Sequence, residues 1–329
     1  MTRILSYNIL AGGNRRVDQL TKIISSAQPD IVGLVEANNP RIVEEIAQRL
    51  GMQYRMSGSC TQAHNWQNAL LSRLPIIETH VHNHSDILTK PFLEACIEEE
   101  DGRKLTVFIT HLESAFYQSR GGDGQRQHEV QEILRIMASK RGTPHLLMGD
   151  FNAIAPGDRL KASALVRYLI KMDRLYRRNP HQDVEYPNLD SVIPGRLRFL
   201  YPFMETITHS KVLCALLDKT SSFYASRGSI NMLLKSGYMD CFRLKNPKDL
   251  GFTCPAASLA GRIDYIFASP ELAQRLSASY VVTEGNGIRG NEASDHLPVL
   301  AEFGESAEEI NGPVHELATH SPVDLIDNL

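Results

Sequence analysis

One short stretch combines residue types and spacing that could do chemistry: Leu-Leu-Met-Gly-Asp-Phe-Asn at 146–152. Its three apolar residues predict the end of a buried strand, and Gly149 lets the backbone turn away from it. Asp150 and Asn152 could then face one cleft. A carboxylate that takes a proton from water, beside an amide that donates to a phosphoryl oxygen, suits phosphate-ester hydrolysis. Alone, the pattern is more typical of an ordinary turn.

The same arrangement, an apolar segment followed by a polar group, occurs along the whole chain. Glu36 follows the buried segment 31–35, where a carboxylate is costly unless it is paired or holds a metal ion. Asp264 lies in the middle of the predicted strand 262–267 and also needs a partner. Each such group has a structural explanation of its own. Together they favour one shared cleft, formed by Asn8, Glu36, Asn68, His111, Asp150, Asn152, Asp264, Asp295 and His296.

The ligand atoms that this set offers point to a particular class of cation. Carboxylate and amide oxygens dominate, and the set contains no Cys. Hard oxygen ligands favour Mg²⁺ or Mn²⁺ over Zn²⁺. The sequence therefore predicts Mg²⁺, or Mn²⁺, as the cofactor.

Composition and charge bound the remaining possibilities. Of the 329 residues, 42% are hydrophobic and 22% charged, which is an ordinary globular balance. The net charge of −3 gives no overall attraction to nucleic acid, although a local basic groove remains compatible with it. Five scattered cysteines without a C-x-x-C pair argue against a disulfide framework and a zinc site. No stretch approaches the about 20 apolar residues of a membrane span, so we expect a cytoplasmic protein with no transmembrane segment.

The chain divides into a main domain and two additions. Strand and helix patterns run through residues 1–303, but they weaken between about 158 and 236. We interpret 158–236 as an insertion that forms a lid or a substrate wall. The last residues, 304–329, contain several Glu and Asp but no Lys or Arg, so this acidic tail is predicted to be disordered. Nothing in the sequence implies a protein partner.

Read in chain order, the polar segments resemble the motifs of the endonuclease/exonuclease/phosphatase superfamily, related to DNase I and exonuclease III. The resemblance extends from the first residues to about residue 303. It implies an α/β fold: a four-layer α/β/β/α sandwich of two packed, mostly antiparallel sheets, with the site at one mouth. The matching segments are Ser6-Tyr7-Asn8, Val35-Glu36, Leu71-Ser72-Arg73-x-Pro75, Thr110-His111-Leu112, Gly149-Asp150-Phe151-Asn152, Arg262-Ile263-Asp264-Tyr265 and Ser294-Asp295-His296.

The resemblance also implies roles for the residues in these segments. Glu36 and Asp295 would hold the metal ion, with Asn8 close by. Asp150 would orient or deprotonate the attacking water. The resemblance thus divides the carboxylates between metal binding and proton transfer.

Two histidines and an amide would act on the phosphate. Asn152 and His111 would donate to the phosphoryl oxygens. His296 would contact the phosphate, oriented by Asp264, which gives the carboxylate of Asp264 the partner that it needs. We also predict that Asn68, Arg174, Arg177 and Arg178 bind substrate, although the three arginines match none of the family's motifs.

The substrate class stays open. The Thr-His-Leu segment around His111 is typical of relatives that act on lipid head groups, inositol phosphates, RNA tails and phosphotyrosyl-DNA, whereas abasic-site nucleases carry a Tyr-containing segment there. A metal-dependent phosphodiesterase is the leading hypothesis. A nuclease or tyrosyl-DNA-type phosphodiesterase is the alternative, which a basic groove of Arg120, Arg174, Arg177 and Arg178 would support. The complete polar set argues against a third possibility, an inactive binding module.

Removal of divalent cations tests the metal prediction. Hydrolysis of a phosphodiester by the purified protein should cease in EDTA, because the oxygen-rich set around Glu36 and Asp295 suits a hard cation. Activity should return when Mg²⁺ or Mn²⁺ is added in excess over the chelator. Hydrolysis that persists after exhaustive chelation would contradict the metal assignment.

Overall fold

A computed structural model of the chain describes residues 1–59, 65–83, 86–114, 122–178, 199 and 201–304. Its strands are β1 (Thr2–Asn8), β2 (Ile31–Val35), β3 (Gln53–Met56), β4 (Ala69–Ser72), β5 (Ile76–His82), β6 (Phe92–Glu98), β7 (Lys104–His111), β8 (His145–Asp150), β9 (Met239–Asp240), β10 (Asp264–Ala268), β11 (Leu276–Val281), β12 (Glu284–Gly285), β13 (Ile288–Arg289) and β14 (Val299–Phe303). The α-helices are α1 (Val17–Ala27), α2 (Pro40–Leu50), α3 (Asp123–Met137), α4 (Ala162–Arg178), α5 (Tyr201–His209), α6 (Lys211–Tyr224), α7 (Gly228–Lys235), α8 (Cys241–Lys245), α9 (Pro270–Ala273) and α10 (Gly290–Ala293).

Two six-stranded sheets form the centre of the fold. Their strand orders are β11-β14-β1-β2-β4-β3 and β5-β6-β7-β8-β10-β9. In each sheet one pair of neighbours is parallel, β1 with β2 and β7 with β8, and all the other neighbours are antiparallel. The predicted mostly antiparallel arrangement is confirmed.

Three apolar clusters separate the four layers. The cluster between the sheets includes Ile4 and Leu70 of the first sheet and Val107 and Leu146 of the second. A second cluster joins the outer face of the first sheet to α1 and α2. A third joins the outer face of the second sheet to α3 and α7. The predicted α/β/β/α sandwich is therefore confirmed, with helices on both outer faces.

Local sequence determines where α2 begins and ends. The Asn39 side chain accepts a hydrogen bond from the Arg41 amide at 3.2 Å, and Pro40 occupies the first turn. Asn is a favoured N-cap, and Pro suits the first turn because its missing N–H would have no partner there. Gly51 ends the helix in the left-handed conformation. The Asn39-Pro40 signal thus positions the helix that follows Glu36.

A buried arginine anchors the beginning of the 158–236 segment to the second sheet. Arg262 donates to Asp158 at 2.8 Å and to both carboxylate oxygens of Asp240 at 2.8 and 2.6 Å. Arg243 also donates to Asp158, at 2.7 Å. Two guanidinium groups and two carboxylates neutralise one another, which makes burial of these charges tolerable. From Asp158 the chain enters α4.

Within the described residues, no helix is both long and apolar enough to cross a membrane. The predicted disordered tail cannot be compared with the structure, because residues 305–329 lie outside the described part of the chain.

The close approach of β7 and β8 depends on Gly149. Thr110 and Gly149 are neighbours in the parallel register of these strands, and Gly149 has φ +145°. A Cβ atom there would lie 1.8 Å from the carbonyl oxygen of Thr110. This backbone oxygen cannot move aside without breaking the strand pairing, so only glycine fits.

Substitution at this position should destabilise the protein. We expect Gly149→Ala to lower the free energy of unfolding by roughly 3 kcal/mol, through overpacking and backbone strain. Gly124→Ala is the matched control, because a Cβ at this helical glycine meets nothing within 4 Å; it should leave stability equal or raise it by up to about 1 kcal/mol. Urea unfolding measures both. Equal stability of the two variants would show that the strands can separate at no cost.

Candidate active site

The strand pairing brings most of the predicted polar residues to one end of the sandwich. Asn8 is the partner of Val35 in the parallel β1–β2 pair, so Glu36 follows directly beside it. His111 pairs with Asp150 at the ends of β7 and β8. Asp264 pairs with Asp150 from the other side. The carboxyl ends of two parallel pairs, one in each sheet, therefore meet at a single mouth.

Asp264 corrects one detail of the sequence analysis. It is the first residue of β10, not a residue in the middle of a strand. The predicted strand starts at Arg262, but pairing with β8 begins only at Asp264. The amides of Ile263 and Asp264 both bond to the Thr253 hydroxyl, at 3.2 and 3.3 Å. Asp264 is nevertheless buried, and it does have the partner that the sequence required.

Asn8 links the two sheets across the mouth. Its side-chain amide donates to Asp150 Oδ2 at 3.0 Å and to Glu36 Oε1 at 3.2 Å. Its side-chain oxygen Oδ1 accepts from the Leu10 backbone amide at 3.0 Å. All its polar groups are therefore used, which explains how an amide is accommodated at the end of a core strand. Asn8 fixes the distance between the two carboxylates that it bridges.

Glu36 and Asp295 are half-buried carboxylates. Glu36 has φ +57° and accepts a hydrogen bond from the Ala11 amide at 2.7 Å. Burial and the charge of Glu36 raise the pKa of Asp295. Among the residues that the structure describes, no Lys or Arg forms an ion pair with either carboxylate.

Asp150 lies at the centre of the group. Its Oδ1 accepts the Asn152 amide at 2.9 Å, which is possible because Asn152 turns the chain with φ +47°. The Nε2 atoms of His111 and His296 lie 3.7 and 3.8 Å from its Oδ2. Burial and the neighbouring Asp264 carboxylate raise the pKa of Asp150 to about 7, against the opposing charge of His296. Such a carboxyl can exchange a proton near neutral pH.

Asp264 holds His296 in place. Its carboxylate oxygens lie 2.9 and 3.1 Å from Nδ1 of the imidazole, which leaves Nε2 facing Asp150. The Ser294 hydroxyl donates to the Asn8 carbonyl at 2.7 Å and accepts the His296 amide at 3.2 Å. Burial alone would lower the pKa of His296, but the surrounding carboxylates, first Asp264, raise it well above the ordinary value. His296 is therefore an imidazolium at neutral pH.

The pKa of the other histidine, His111, is shifted in the opposite direction. Burial and the positive charges of Lys90 and His296 hold the pKa of His111 well below its ordinary value. His111 is therefore a neutral imidazole at neutral pH. Asn152 lies close by, and its side-chain amide donates to the Leu112 carbonyl at 3.0 Å. The mouth thus offers one charged and one neutral imidazole on either side of Asp150.

The residues predicted to bind substrate make other contacts in the structure. The buried Asn68 amide donates to the Pro91 carbonyl at 2.7 Å, between β4 and β6. Arg174 and Arg177, in the last turns of α4, are paired with Glu205 and Asp173. Arg178 is the exposed last residue of α4, and Arg120 lies outside the described residues. Within the described chain, no hydrogen bond or ion pair connects these side chains to Asp150.

Sequence reasoning missed two neighbours of His111. The ring of Trp66 meets the His111 ring edge-on with 5.4 Å between centroids. The Lys90 ammonium lies 5.2 Å from the centroid of Trp66 and donates to the Leu112 carbonyl at 2.9 Å. Lys90 is 6% exposed, and burial lowers its pKa. Both residues lie on irregular connections, where no periodicity points to a buried position; Trp66 could have been noticed as the single Trp of the chain.

Two sets of residues at the mouth include carboxylates and could bind a cation. Asp150, Asp264 and His296 have ligand atoms within 4.8 Å of one another. However, His296 is already bonded to Asp264 through its Nδ1 atom. Glu36 and Asp295 keep carboxylate oxygens without a basic partner in the described structure, and Asp295 is destabilised as an anion by Glu36. This donor set fits a hard divalent cation, which would offset the repulsion between the two carboxylates.

Comparison with known proteins identifies the family. The sequence profile of the Endonuclease/Exonuclease/phosphatase family matches residues 5–296, which include Asp150 and His296. The chain belongs to this family. Enzymes of the family hydrolyse phosphate esters and depend on divalent metal ions. No curated protein sequence matches the chain.

Solved structures share the fold at low sequence identity. An AP endonuclease from Archaeoglobus fulgidus is 17% identical, with TM-score 0.59, covering 92% of this chain and 99% of that one. The 3′ phosphatase NExo from Neisseria, bound to product DNA hairpin, is 19% identical, with TM-score 0.60, covering 93% and 100%. A mannosyl-6-phosphatase from Bacteroides thetaiotaomicron is 16% identical, with TM-score 0.58, covering 93% and 100%. These similarities support the family fold and leave the substrate undetermined.

The Asp264–His296 pair can be tested by titration. In Asp264→Asn, the pKa of His296 should fall by about one unit or more, because the imidazolium loses its nearest anion while its burial remains. The ring-proton NMR signal of His296 in metal-free protein reports this value. Asp173→Asn, an isosteric change on the surface of α4, is the control and should leave it unchanged. An unaltered His296 pKa in Asp264→Asn would mean that the other carboxylates are sufficient to keep the imidazole protonated.

Proposed function

We propose that the protein is a Mg²⁺- or Mn²⁺-dependent phosphodiesterase that cleaves a P–O bond by attack of water. The observation that carries this proposal is the environment of Asp150. This buried carboxyl, with its pKa near 7, lies between the imidazolium of His296 and the neutral ring of His111. A proton acceptor between two groups able to donate hydrogen bonds suits the attack of water on a phosphoryl group.

Glu36 and Asp295, with Asn8 beside them, would hold the cation. A bound divalent ion would polarise a phosphoryl oxygen and offset the negative charge that develops in the transition state. Asn8 would keep Glu36 and Asp150 at a fixed separation through its two hydrogen bonds. Metal site and proton acceptor would then act on the same phosphate without relying on a flexible side chain.

The reaction assigns a role to each remaining group. The oxygen of water forms a bond to phosphorus, its proton passes to Asp150, and the bond from phosphorus to the leaving oxygen breaks. The Nε2–H of His296 would donate to a phosphoryl oxygen, and the charge of Asp264 would keep this imidazole protonated. His111 and the amide of Asn152 would donate to the same phosphoryl group. The backbone amide of Asn152 orients Asp150 for proton transfer.

A nuclease or DNA-end phosphodiesterase is the second candidate. Trp66 supports it, because a partly exposed indole beside His111 offers a surface on which a nucleobase can stack. Two structural neighbours, an AP endonuclease and a phosphatase bound to a product DNA hairpin, are consistent with it. The pairing of Arg174 and Arg177 with nearby carboxylates gives less support to a basic groove there. No comparable observation supports an inactive binding module, since all the polar residues that the proposed hydrolysis requires are present at the mouth.

Two substitutions test the proposed chemistry. Asp150→Asn and His296→Ala should each lower kcat by roughly 10²-fold or more, because each removes a positioned proton acceptor or phosphate contact. Turnover of a chromogenic phosphodiester with Mg²⁺ measures this, and Asp173→Asn serves as the control that should keep normal turnover. Near-normal turnover by either site variant would remove that residue from the mechanism.

The same assay should be extended to natural substrates. Single-stranded DNA, sphingomyelin and inositol phosphates separate the substrate classes that the family covers. Faster turnover of DNA than of the other compounds would favour the second candidate. Hydrolysis of phosphomonoesters alone would contradict the assignment as a phosphodiesterase.

A further inference from the structure

Helix α6 exposes apolar side chains, whereas its polar residues Asp218 and Ser222 are partly buried. Val212, Leu216 and Phe223 are 77%, 57% and 81% exposed. Their spacing of four and seven residues brings them to one side of the helix. We call Val212, Leu216 and Phe223 the outer stripe. Apolar side chains on a helix of a globular protein normally face the core, so this orientation requires an explanation.

The opposite side of α6 explains how the helix is held in this orientation. Asp218 accepts hydrogen bonds from the amide and hydroxyl of Ser163 at 2.7 and 3.0 Å, at the start of α4. The Ser222 hydroxyl donates to the carbonyl of Leu160 and accepts from its amide, both at 3.0 Å. Polar contacts thus attach α6 to residues 160–163 at the start of the segment, and rotation of the helix to bury the outer stripe would break them.

Further apolar groups lie near the outer stripe in the chain. Phe203 of α5 is 61% exposed, Phe199 is 68% exposed, and Leu213 of α6 is 40% exposed. Among the residues that the structure describes, the cluster that packs α4 against α5 contains two buried side chains, Tyr168 and Leu169. The described helices of this segment therefore leave much of their apolar surface outside their own small core.

Charge indicates what this surface would meet. Residues 158–236 contain 13 Lys and Arg against 7 Asp and Glu, a net charge of +6 in a chain of net charge −3, so the remainder carries −9. Two of these cations, Lys211 and Lys219, are exposed on α6 itself, and Lys219 lies within the outer stripe between Leu216 and Phe223. An apolar stripe accompanied by lysines matches a bilayer with anionic head groups.

We propose that the outer stripe and its lysines dock the protein onto the surface of an anionic phospholipid membrane. The apolar side chains would enter the boundary between head groups and acyl chains, and Lys211 and Lys219 would contact the acidic head groups. A nucleic acid fits less well, because its phosphate backbone gains nothing from apolar side chains at the centre of the contact. Docking does not involve Asp150 or the metal ligands, so it goes beyond the proposed hydrolysis and can be measured without it.

Co-sedimentation with vesicles tests docking directly. The full-length chain should bind vesicles of phosphatidylcholine and phosphatidylserine, and bind vesicles of phosphatidylcholine alone at least tenfold more weakly. The double substitution Val212→Glu with Leu216→Glu should weaken binding at least tenfold, and Lys211→Glu with Lys219→Glu should do the same. Added salt should weaken vesicle binding by the wild type and should not restore vesicle binding by the Val212→Glu, Leu216→Glu variant.

A matched control separates the outer stripe from general surface hydrophobicity. Ile77 and Val81 of β5 are 50% and 37% exposed, so Ile77→Glu with Val81→Glu introduces the same charge elsewhere and should leave vesicle binding unchanged. The milder Val212→Ser with Leu216→Ser serves if the glutamates disturb folding, which circular dichroism and turnover of a chromogenic diester would reveal.

Several outcomes would overturn the proposal. These are absence of vesicle binding by the wild type, or equal loss in the β5 control. Light scattering supplies another: a wild-type dimer that becomes monomeric in the α6 variants would make the stripe an interface between two copies of the chain. Loss of single-stranded DNA binding in the lysine variant, with vesicle binding retained, would assign the cations to nucleic acid.

Discussion

The geometry of this protein depends on two parallel strand pairs that end at the same place. In each sheet, a strand, a helix and a second parallel strand succeed one another: β1, α1 and β2 in the first, β7, α3 and β8 in the second. Parallel neighbours have their carboxyl ends at the same edge, so each pair delivers two polar residues together. The apolar layer between the sheets then holds the two edges face to face. Asn8 completes the arrangement by bonding to a carboxylate from each pair.

The electrostatics follow from burial in this confined mouth. Two imidazoles at nearly equal distances from Asp150 differ in charge because their other neighbours differ. His296 has Asp264 at its second nitrogen, whereas His111 has an indole at its edge and a buried ammonium nearby. In a medium that screens charge poorly, nearby charges, with Asp264 first among those around His296, decide whether a ring keeps its second proton. The protein thus obtains two different hydrogen-bond donors from the same residue type.

Sequence patterns predicted individual strands and helices and most of the polar residues at the mouth, because local rules control them. The layered arrangement of the two sheets was implied by the family resemblance. The apolar run before Glu36 and the Asn39-Pro40 cap correspond to the observed β2 and α2. The predictions were less informative where a contact from a distant part of the chain decides. Pairing with β8, not local hydrophobicity, sets the start of β10 at Asp264. Likewise, the Asn68 side chain donates a hydrogen bond to the Pro91 carbonyl, and Lys90 lies beside Trp66. Neither contact produces a periodic pattern in the sequence.

The contact between Trp66 and His111 has a practical consequence. Trp66 is the single tryptophan of the 329 residues, so indole emission from the intact protein arises from this one position. It is partly exposed, its edge partner is a titratable ring, and an ammonium lies over its face. A protonated imidazole quenches the fluorescence of a neighbouring indole more effectively than a neutral imidazole does. Emission from Trp66 is therefore expected to respond to proton and ligand occupancy at the mouth, without any added label.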